Sequence, residues 1–412
     1  MTIYLLNLSR AFVTSGVDRY LERLAEGLTS YEHIKFIIVK VELNKYRYWK
    51  AEKISKNGLS VTIPISHSFG RYLNDELYKE AYNKSIQKLI SITLKIPLPD
   101  IIHVHTINLI DLALTFRDVH PQTKIITHFH CIPWKNLISS NKKLFNHLYQ
   151  LYTHINAIPK QHRAKIFTRG GSEWRAYCNS DSIICVTQSG KKFLESIGVN
   201  KNKINIIYNG DKEPPIYFKR NYHINSFNLL FVGSLTYSKG IQFLLRALAL
   251  IRNNYPINLT ICGYASNKRK EYLLSLFPKE MNIVFKGNVS YNELQSLYQS
   301  HDAGIITSLG EQCSFVAIEM MKYELPIITT LIDGLGEMFV HNKNCLSLPI
   351  TFSEQEGLTI EPSNIAKNII KLAKDIGIRK YLGKNARETY NKLFTMTPMI
   401  HSTVVVYEKI LK

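Results

Sequence analysis

Short apolar, β-branched runs alternate with amphipathic helical stretches along this chain, and the alternation begins afresh near residue 225. In the first series Ile3–Leu8 reads as a buried strand. Val17–Leu28 reads as a helix, because Val17, Leu21, Leu24, Ala25 and Leu28 recur at helical spacing. Phe36–Val41, Ile101–Val104, Lys124–Thr127 and Ser182–Thr187 read as strands, and Tyr78–Leu94 as a second helix. A turn-rich stretch, Asn209-Gly210-Asp211-Lys212-Glu213-Pro214-Pro215, follows the strand Ile204–Tyr208. The second series then runs strand (Asn228–Val232), helix (Ile241–Ile251), strand (Asn258–Cys262), helix (Tyr291–Gln299), strand (Gly304–Thr307), helix (Val316–Tyr323) and strand (Pro326–Thr330). Short apolar strands separated by helices make βαβ units and a parallel sheet. A chain of 412 residues is too long for one ordinary core. The expected fold is therefore α/β, with two facing, Rossmann-like, doubly wound domains. Residues 1–212 form the N-terminal domain, 213–226 the linker and 227–392 the C-terminal domain. Residues 393–412 form a last helix expected to pack back toward the first domain. Ligands of such sheets sit at the carboxyl ends of the strands, which makes the interdomain cleft the expected site.

Composition narrows the class. No apolar run approaches the roughly 20 residues that span a bilayer, and the opening MTIYLLNLSR reads as a first strand rather than a signal peptide. Cys131, Cys178, Cys185, Cys262, Cys313 and Cys345 form no CxxC pair, so neither a zinc site nor a redox dithiol is expected. They read as reduced, buried thiols of a cytoplasmic protein. The formal net charge of +20 is uneven: between Asp118 and Glu173 there is no acidic residue. That gap holds Lys124, Lys135, Lys142, Lys143, Lys160, Arg163, Lys165 and Arg169, interleaved with Trp134, Phe145, Tyr149, Tyr152 and Phe167. The basic stretch 119–172 reads either as a solvated face or as a surface for an anionic partner, such as the inner face of the cell membrane or an acidic acceptor. No nucleic-acid module accompanies the charge, and nucleic-acid binding is not expected.

Two motifs carry chemistry. In GEQCSFVAIE (310–319), Glu311 lies in a loop after a strand, and Glu319 lies within the second turn of the helix that follows. Free N–H groups at that helix start, near Ser314 and Phe315, suit phosphate or sugar oxygens. Carboxylates suit sugar hydroxyls, since each oxygen accepts O–H donors. Read alone, the pair is better explained as an acidic cap and one surface glutamate. In LLFVGSLTYSKG (229–240), a strand leads through Gly233 and Ser234 to Lys239 at a helix start. That is a fit for a pyrophosphate, but also an ordinary solvated lysine beside a turn glycine. The spacing is not that of a P-loop.

Together, FVGSLTYSKGIQFLLRAL, LTICGYA and IVFKGNVSYNELQSLYQSHDAGIITSLGEQCSFVAIEMMKYELPIITT resemble the donor domain of the retaining GT-B glycosyltransferases of family 4 (glycosyl transferases group 1). More faintly, Ser15-Gly16, the DIIHVH segment (100–105) and SIICVT (182–187) running to IYNG (207–210) resemble that family's first domain. The resemblance implies a hexosyltransferase-type enzyme acting on a UDP- or GDP-sugar. Lys239 would bind the diphosphate. Glu311 would contact the transferred sugar, with the backbone of Ser314 and Phe315 beside it. Glu319 would hold the ribose, and the backbone at Phe285 would edge the base. Gly233 and Ser234 would line the donor loop, and Gly16 would approach the phosphates. His130, in Thr127-His128-Phe129-His130, would face the donor sugar; His128 is the lesser choice.

One departure matters. Ser234 stands where the family usually carries an arginine that shares the diphosphate charge with the lysine. Losing one charge-assisted partner costs about 1.5–3 kcal/mol of binding. Arg10, Arg19 and Lys135 are candidate replacements. No D-x-D occurs in the chain, so no metal or other cofactor is expected. Lys239 and helix N-termini would instead take the negative charge of the leaving diphosphate. Retention without an obvious nucleophile fits attack by the acceptor on the leaving-group side. The acceptor itself, whether glycan, lipid-linked or peptide, is open; the opening NLSRAFVTSGVDRYLE resembles transferases encoded beside peptide-modifying systems. Ser234 also keeps a second reading in view, a non-catalytic GT-B scaffold or partner subunit.

Overall fold

The structure is a computed structural model that describes residues 1–10, 15–43, 48–65, 76–131, 172–214, 220–251, 256–277, 282–353 and 357–412. It divides into two compact units. The first takes the described residues of 1–130, 172–210 and 396–412; the second takes residue 131 and those of 211–395.

The first unit is built on an eight-stranded sheet. Its strands are β1 (Thr2–Arg10), β2 (Lys35–Leu43), β3 (Lys50–Lys53), β4 (Gly58–Pro64), β5 (Ile101–Val104), β6 (Lys124–Phe129), β7 (Ser182–Cys185) and β8 (Ile204–Ile206). The order is β3-β4-β2-β1-β5-β6-β7-β8, parallel throughout except that β3 runs antiparallel to β4. The strands are covered on both faces, which is why they read as continuous apolar runs: Ile3, Tyr4, Leu5 and Leu6 are all fully buried. The chain winds one way from β1 to β4 and the other way from β5 onward, so the order reverses between β1 and β5. The helix Gly16–Leu28 packs its buried stripe of Tyr20, Leu21, Leu24, Ala25 and Leu28 inward. The helix Met396–Leu411 lies against it, with Ile400 over Gly27.

The second unit repeats the plan. Strands β9 (Phe227–Val232), β10 (Ile257–Cys262), β11 (Asn282–Gly287), β12 (Ala303–Ile306), β13 (Ile327–Thr330) and β14 (Leu346–Leu348) form a parallel sheet in the order β11-β10-β9-β12-β13-β14. This is the doubly wound arrangement, and its reversal falls between β9 and β12. The α/β, doubly wound expectation therefore holds in both halves. Three local readings change. The expected helix Tyr78–Leu94 is an α-helix over Glu76–Lys88 that loosens into a π-turn at Leu89–Thr93. The β3–β4 pair is additional: β3 has no apolar signal because it is exposed along its whole length, whereas β4 alternates Leu59, Val61 and Ile63 with polar residues. Cys185, Cys262, Cys313 and Cys345 are buried as expected, but Cys178 is exposed; it lies on the solvent side of the helix Ser172–Asn179. Among the described residues no helix is long and apolar enough to cross a membrane.

Candidate functional site

The reversal point of the second sheet brings together the two motifs that the sequence left 72 residues apart. β9 ends at Val232 and leads through Gly233 and Ser234 to a single 3-10 turn, Tyr237–Lys239, and then to the helix Ile241–Leu250. Its neighbour β12 ends at Ile306 and leads through Glu311 to the helix Phe315–Lys322. Both loops leave the carboxyl ends of adjacent strands, where doubly wound sheets hold their ligands.

The loops are stitched to each other. The Leu309 N–H donates to the Ser238 carbonyl at 2.7 Å, and the Thr307 hydroxyl donates to the Lys239 carbonyl at 2.9 Å. Gly240 has a left-handed backbone (φ 69°), and a Cβ there would lie 1.9 Å from the Thr307 carbonyl oxygen. Only glycine lets the two loops approach this closely. A second close approach holds the other side. Gly263, just after β10, sits at φ 154°, and its Cβ would lie 1.8 Å from the Gly233 carbonyl oxygen. Gly263→Ala is expected to destabilise the chain by about 1–3 kcal/mol through backbone strain and to displace the Gly233–Ser234 turn. A urea-denaturation midpoint equal to that of the parent would contradict this.

With the backbones so fixed, the Lys239 ammonium forms an ion pair with Glu311 Oε2, which also accepts the Ser308 hydroxyl at 3.3 Å. The Lys239 side chain is 31% exposed and that of Glu311 18%. Both charges are thus oriented yet open to exchange partners with a ligand. The Glu311 carbonyl accepts the Gly334 N–H at 3.0 Å, which ties the loop to the segment after β13. Ser314 caps the following helix, its hydroxyl accepting the Ala317 N–H at 3.4 Å, and Phe315 is the first helical residue.

Glu319 is not a surface residue. It is only 2% exposed, and its Oε2 accepts the Tyr298 hydroxyl at 2.7 Å. A buried carboxylate requires such a partner, and nothing in the motif pointed to Tyr298, 21 residues upstream. Phe285 pairs with Ile261 in the β10–β11 ladder, and the register slips immediately after it, so that Cys262 faces Gly287. That bulge takes the backbone at Lys286 out of the regular ladder. Ser234 lies 3.5 Å, hydroxyl to hydroxyl, from Thr236 and has no cationic character to offer. Arg269 escaped notice in the sequence: its Nε donates to the Leu235 carbonyl at 2.8 Å and its Nη2 to Gln242 at 3.0 Å, bracing the same loop.

In the first unit, Gly16 opens the helix Gly16–Leu28 behind a Ser15–Asp18 capping box. Among the described residues, nothing crowds the position of its absent Cβ. Asp18 also accepts the Asn7 amide at 2.8 Å, so a carboxylate already serves this helix start. His130 follows β6, and its Nε2 lies 3.1 Å from His105 Nδ1. Burial pushes its pKa down to about 3, so it stands there as neutral imidazole. His128 is buried one step inward, with its ring stacked on that of His130 at 3.9 Å. Of the suggested replacements for the family arginine, Arg19 lies on the helix Gly16–Leu28 of the first unit. Lys135 and nearly all of the basic stretch 119–172 lie outside the described residues, as does the side chain of Arg10.

Known proteins agree with this arrangement. The family described as Glycosyltransferase Family 4 matches residues 14–210, and that described as Glycosyl transferases group 1 matches residues 217–389. An uncharacterized glycosyltransferase of Methanocaldococcus jannaschii is 29% identical over 57% of this chain and 62% of its own length. The chain thus spans about six-tenths of that relative. A glycogen synthase of Mycobacterium tuberculosis is 29% identical over 41% of this chain and 42% of its own. Among solved structures, a sucrose-phosphate synthase from Thermosynechococcus elongatus superposes with a TM-score of 0.76 at 17% identity, over 99% of this chain and 98% of that one. HepE of Anabaena, solved in complex with UDP-glucose, does so with a TM-score of 0.66 at 14% identity, over 99% and 100%. Those two likenesses are to GT-B proteins, and the two family matches run in tandem from residue 14 to residue 389. The chain belongs to the GT-B glycosyltransferases of the group 1, family 4 type.

Proposed function

We propose that this protein transfers a hexosyl group from a UDP- or GDP-sugar to a glycan, lipid-linked or peptide acceptor, with retention of anomeric configuration and without a metal at the diphosphate. The observation that carries the reading is the Lys239–Glu311 pair at the reversal point of the second sheet, held by two mutually braced loops yet partly open to solvent.

Cleaving the bond between the anomeric carbon and its oxygen leaves negative charge on the departing diphosphate and positive charge on the sugar. Lys239 would exchange part of its bond to Glu311 for diphosphate oxygens, and the pre-oriented ammonium would meet the charge as it develops. Glu311, released from the lysine, would accept sugar hydroxyls, with the N–H groups near Ser314 and Phe315 beside it. Glu319, steadied by Tyr298, would take ribose hydroxyls. The bulge at Lys286, next to Phe285, would offer backbone groups to the base. The roles of Gly16 at the phosphates and His130 at the sugar rest on the family resemblance. For His130 the neutral imidazole suits a hydrogen bond to a sugar hydroxyl better than a salt bridge to phosphate. A peripheral place at the inner face of the cell membrane, through 119–172, belongs to the same proposal.

A thermal-shift screen against UDP-, GDP- and ADP-sugars tests it directly. A donor at a hundred times its dissociation constant should add about 2.7 kcal/mol to the stability of the unit that binds it. A UDP- or GDP-sugar is expected to respond, and silence toward all of them would sink the proposal. Ser234 favours a second reading, a scaffold that binds a donor without turning it over. Single-turnover donor hydrolysis separates the two: the enzyme shows it and the scaffold does not.

A further inference from the structure

The first unit carries a second cluster of chemistry-bearing side chains. His103 on β5 and His105 just after it sit two residues apart, on one face of the sheet. His128 on β6 and His130 just after it do the same. In the parallel register Val104 pairs with Thr127, so the next step sets His105 beside His128. Neighbouring rings lie 4.1 Å (His103–His105), 5.2 Å (His103–His128) and 5.2 Å (His105–His128) apart, centroid to centroid. His103, His105 and His128 are 0%, 4% and 1% exposed.

The hydrogen bonds of this cluster do not close. His103 Nδ1 is 2.7 Å from the Tyr407 hydroxyl, and its Nε2 is 3.1 Å from His128 Nδ1. His105 Nδ1 is 3.1 Å from His130 Nε2. That leaves two buried nitrogens, His105 Nε2 and His128 Nε2, with no hydrogen-bond partner among the described residues. An unpartnered buried nitrogen costs about 1–3 kcal/mol and calls for an explanation. Each of the three histidines offers one nitrogen such that all three atoms lie within 4.8 Å of one another. Ligands at about 2.0–2.1 Å around a tetrahedral ion stand roughly 3.3 Å apart. His103 Nε2 and His128 Nδ1 are already at nearly that spacing, and His105 Nε2, one of the two unpartnered nitrogens, is the third donor. Tyr407 behind His103 and His130 behind His105 each hold the nitrogen turned away from the centre, as the outer hydrogen bonds of a metal-bound histidine do.

We propose that His103, His105 and His128 bind one divalent transition ion, zinc by preference, through three imidazole nitrogens with a fourth position left open. An all-imidazole set suits zinc, copper or nickel rather than magnesium or calcium. The ion would tie β5 to β6 and, through Tyr407, to the helix Met396–Leu411. The proposal rests on residues of the first unit alone; His130, which holds His105, is also the residue that the family resemblance places at the donor sugar.

The test uses the full chain without an affinity tag, stripped by chelator and reloaded with zinc or cobalt. One equivalent of metal per chain is expected. The cobalt form should show tetrahedral ligand-field bands without a thiolate charge-transfer band, which sets the histidines apart from the cysteines. His105→Ala and His128→Ala should lose the equivalent, whereas His33→Gln, a change at an exposed histidine, should keep it. Tyr407→Phe should weaken affinity about 10- to 100-fold while retaining stoichiometry. Retention of metal by both alanine variants would overturn the proposal. If those variants fail to fold, the parent decides alone: no bound equivalent, or a cobalt spectrum that is octahedral or thiolate-like, makes the cluster packing only.

Discussion

Lys239→Ala is expected to lower nucleotide-sugar turnover by about 100- to 1,000-fold, the range seen when one group that stabilises transition-state charge is removed. Two effects add. The diphosphate loses the ammonium placed at the end of β9, and Glu311 loses the cation that neutralises it. A bare carboxylate at that position then repels the incoming donor, so KM should rise as kcat falls. Lys239→Arg keeps the charge but replaces a compact ammonium with a wider planar group, and should recover part of the binding and less of the turnover. Glu311→Ala removes the sugar contact while leaving the lysine free for phosphate, so it should depress kcat with little change in KM. Because the two side chains are partners, the double variant should cost less than the two single losses combined. Steady-state kinetics on the four variants and the parent decides the matter. Turnover by Lys239→Ala close to that of the parent would remove the lysine from the mechanism.

Much of this site was legible in the linear sequence, and the parts that were not have physical reasons. Strand–helix alternation exposes a parallel sheet because its strands are buried on both faces and read as apolar runs, and that is how β1, β5, β9 and β12 announced themselves. Lys239 and Glu311 were legible because turn and helix-start signals flank each of them. Their contact was not, since it depends on β9 and β12 being neighbours, which is a property of strand order. The burial of Glu319 was hidden for a related reason: its partner Tyr298 comes from another helix, and VAIEMM by itself fits either an exposed or a buried glutamate. The histidines show the same limit more sharply. DIIHVH and THFH were both visible, but only the parallel register aligns them into one cluster. Arg269 was passed over because an arginine in a polar helix start carries no signal until the loop it braces is in place. The exposed β3 has no apolar alternation to read at all.

A second large effect is expected far from the ligand loops, at the opposite ends of the same two strands. Asp302 is fully buried just before β12. It accepts four hydrogen bonds: from Arg379 Nη1 at 2.8 Å, the His223 N–H at 2.8 Å, His223 Nδ1 at 2.9 Å and the Asn228 N–H at 2.8 Å. Its own N–H donates to the Asn228 carbonyl at 2.8 Å. Asn228 belongs to β9, so one carboxylate pins the amino ends of both strands whose carboxyl ends carry Lys239 and Glu311. Arg379, itself fully buried, reaches Asp302 from the helix Ile376–Leu393 and leans on the rings of Tyr222 and Phe227. Asp302→Ala strands that guanidinium without its counter-charge and leaves the two N–H groups unpaired. Breaking a buried pair from one side costs about 3–5 kcal/mol. The urea midpoint of the unit formed by 211–395 should fall accordingly. Adding Arg379→Met should restore a large part of the loss, because the penalty lies mainly in the orphaned charge and an apolar side chain fits beside those two rings. Under conditions where Asp302→Ala remains folded, donor affinity should stay near that of the parent, since the substitution sits at the far ends of the strands. An unchanged midpoint would mean that the carboxylate does not hold β9 and β12 together. A fall in donor affinity larger than the loss of folded protein would mean that the two ends of these strands are coupled.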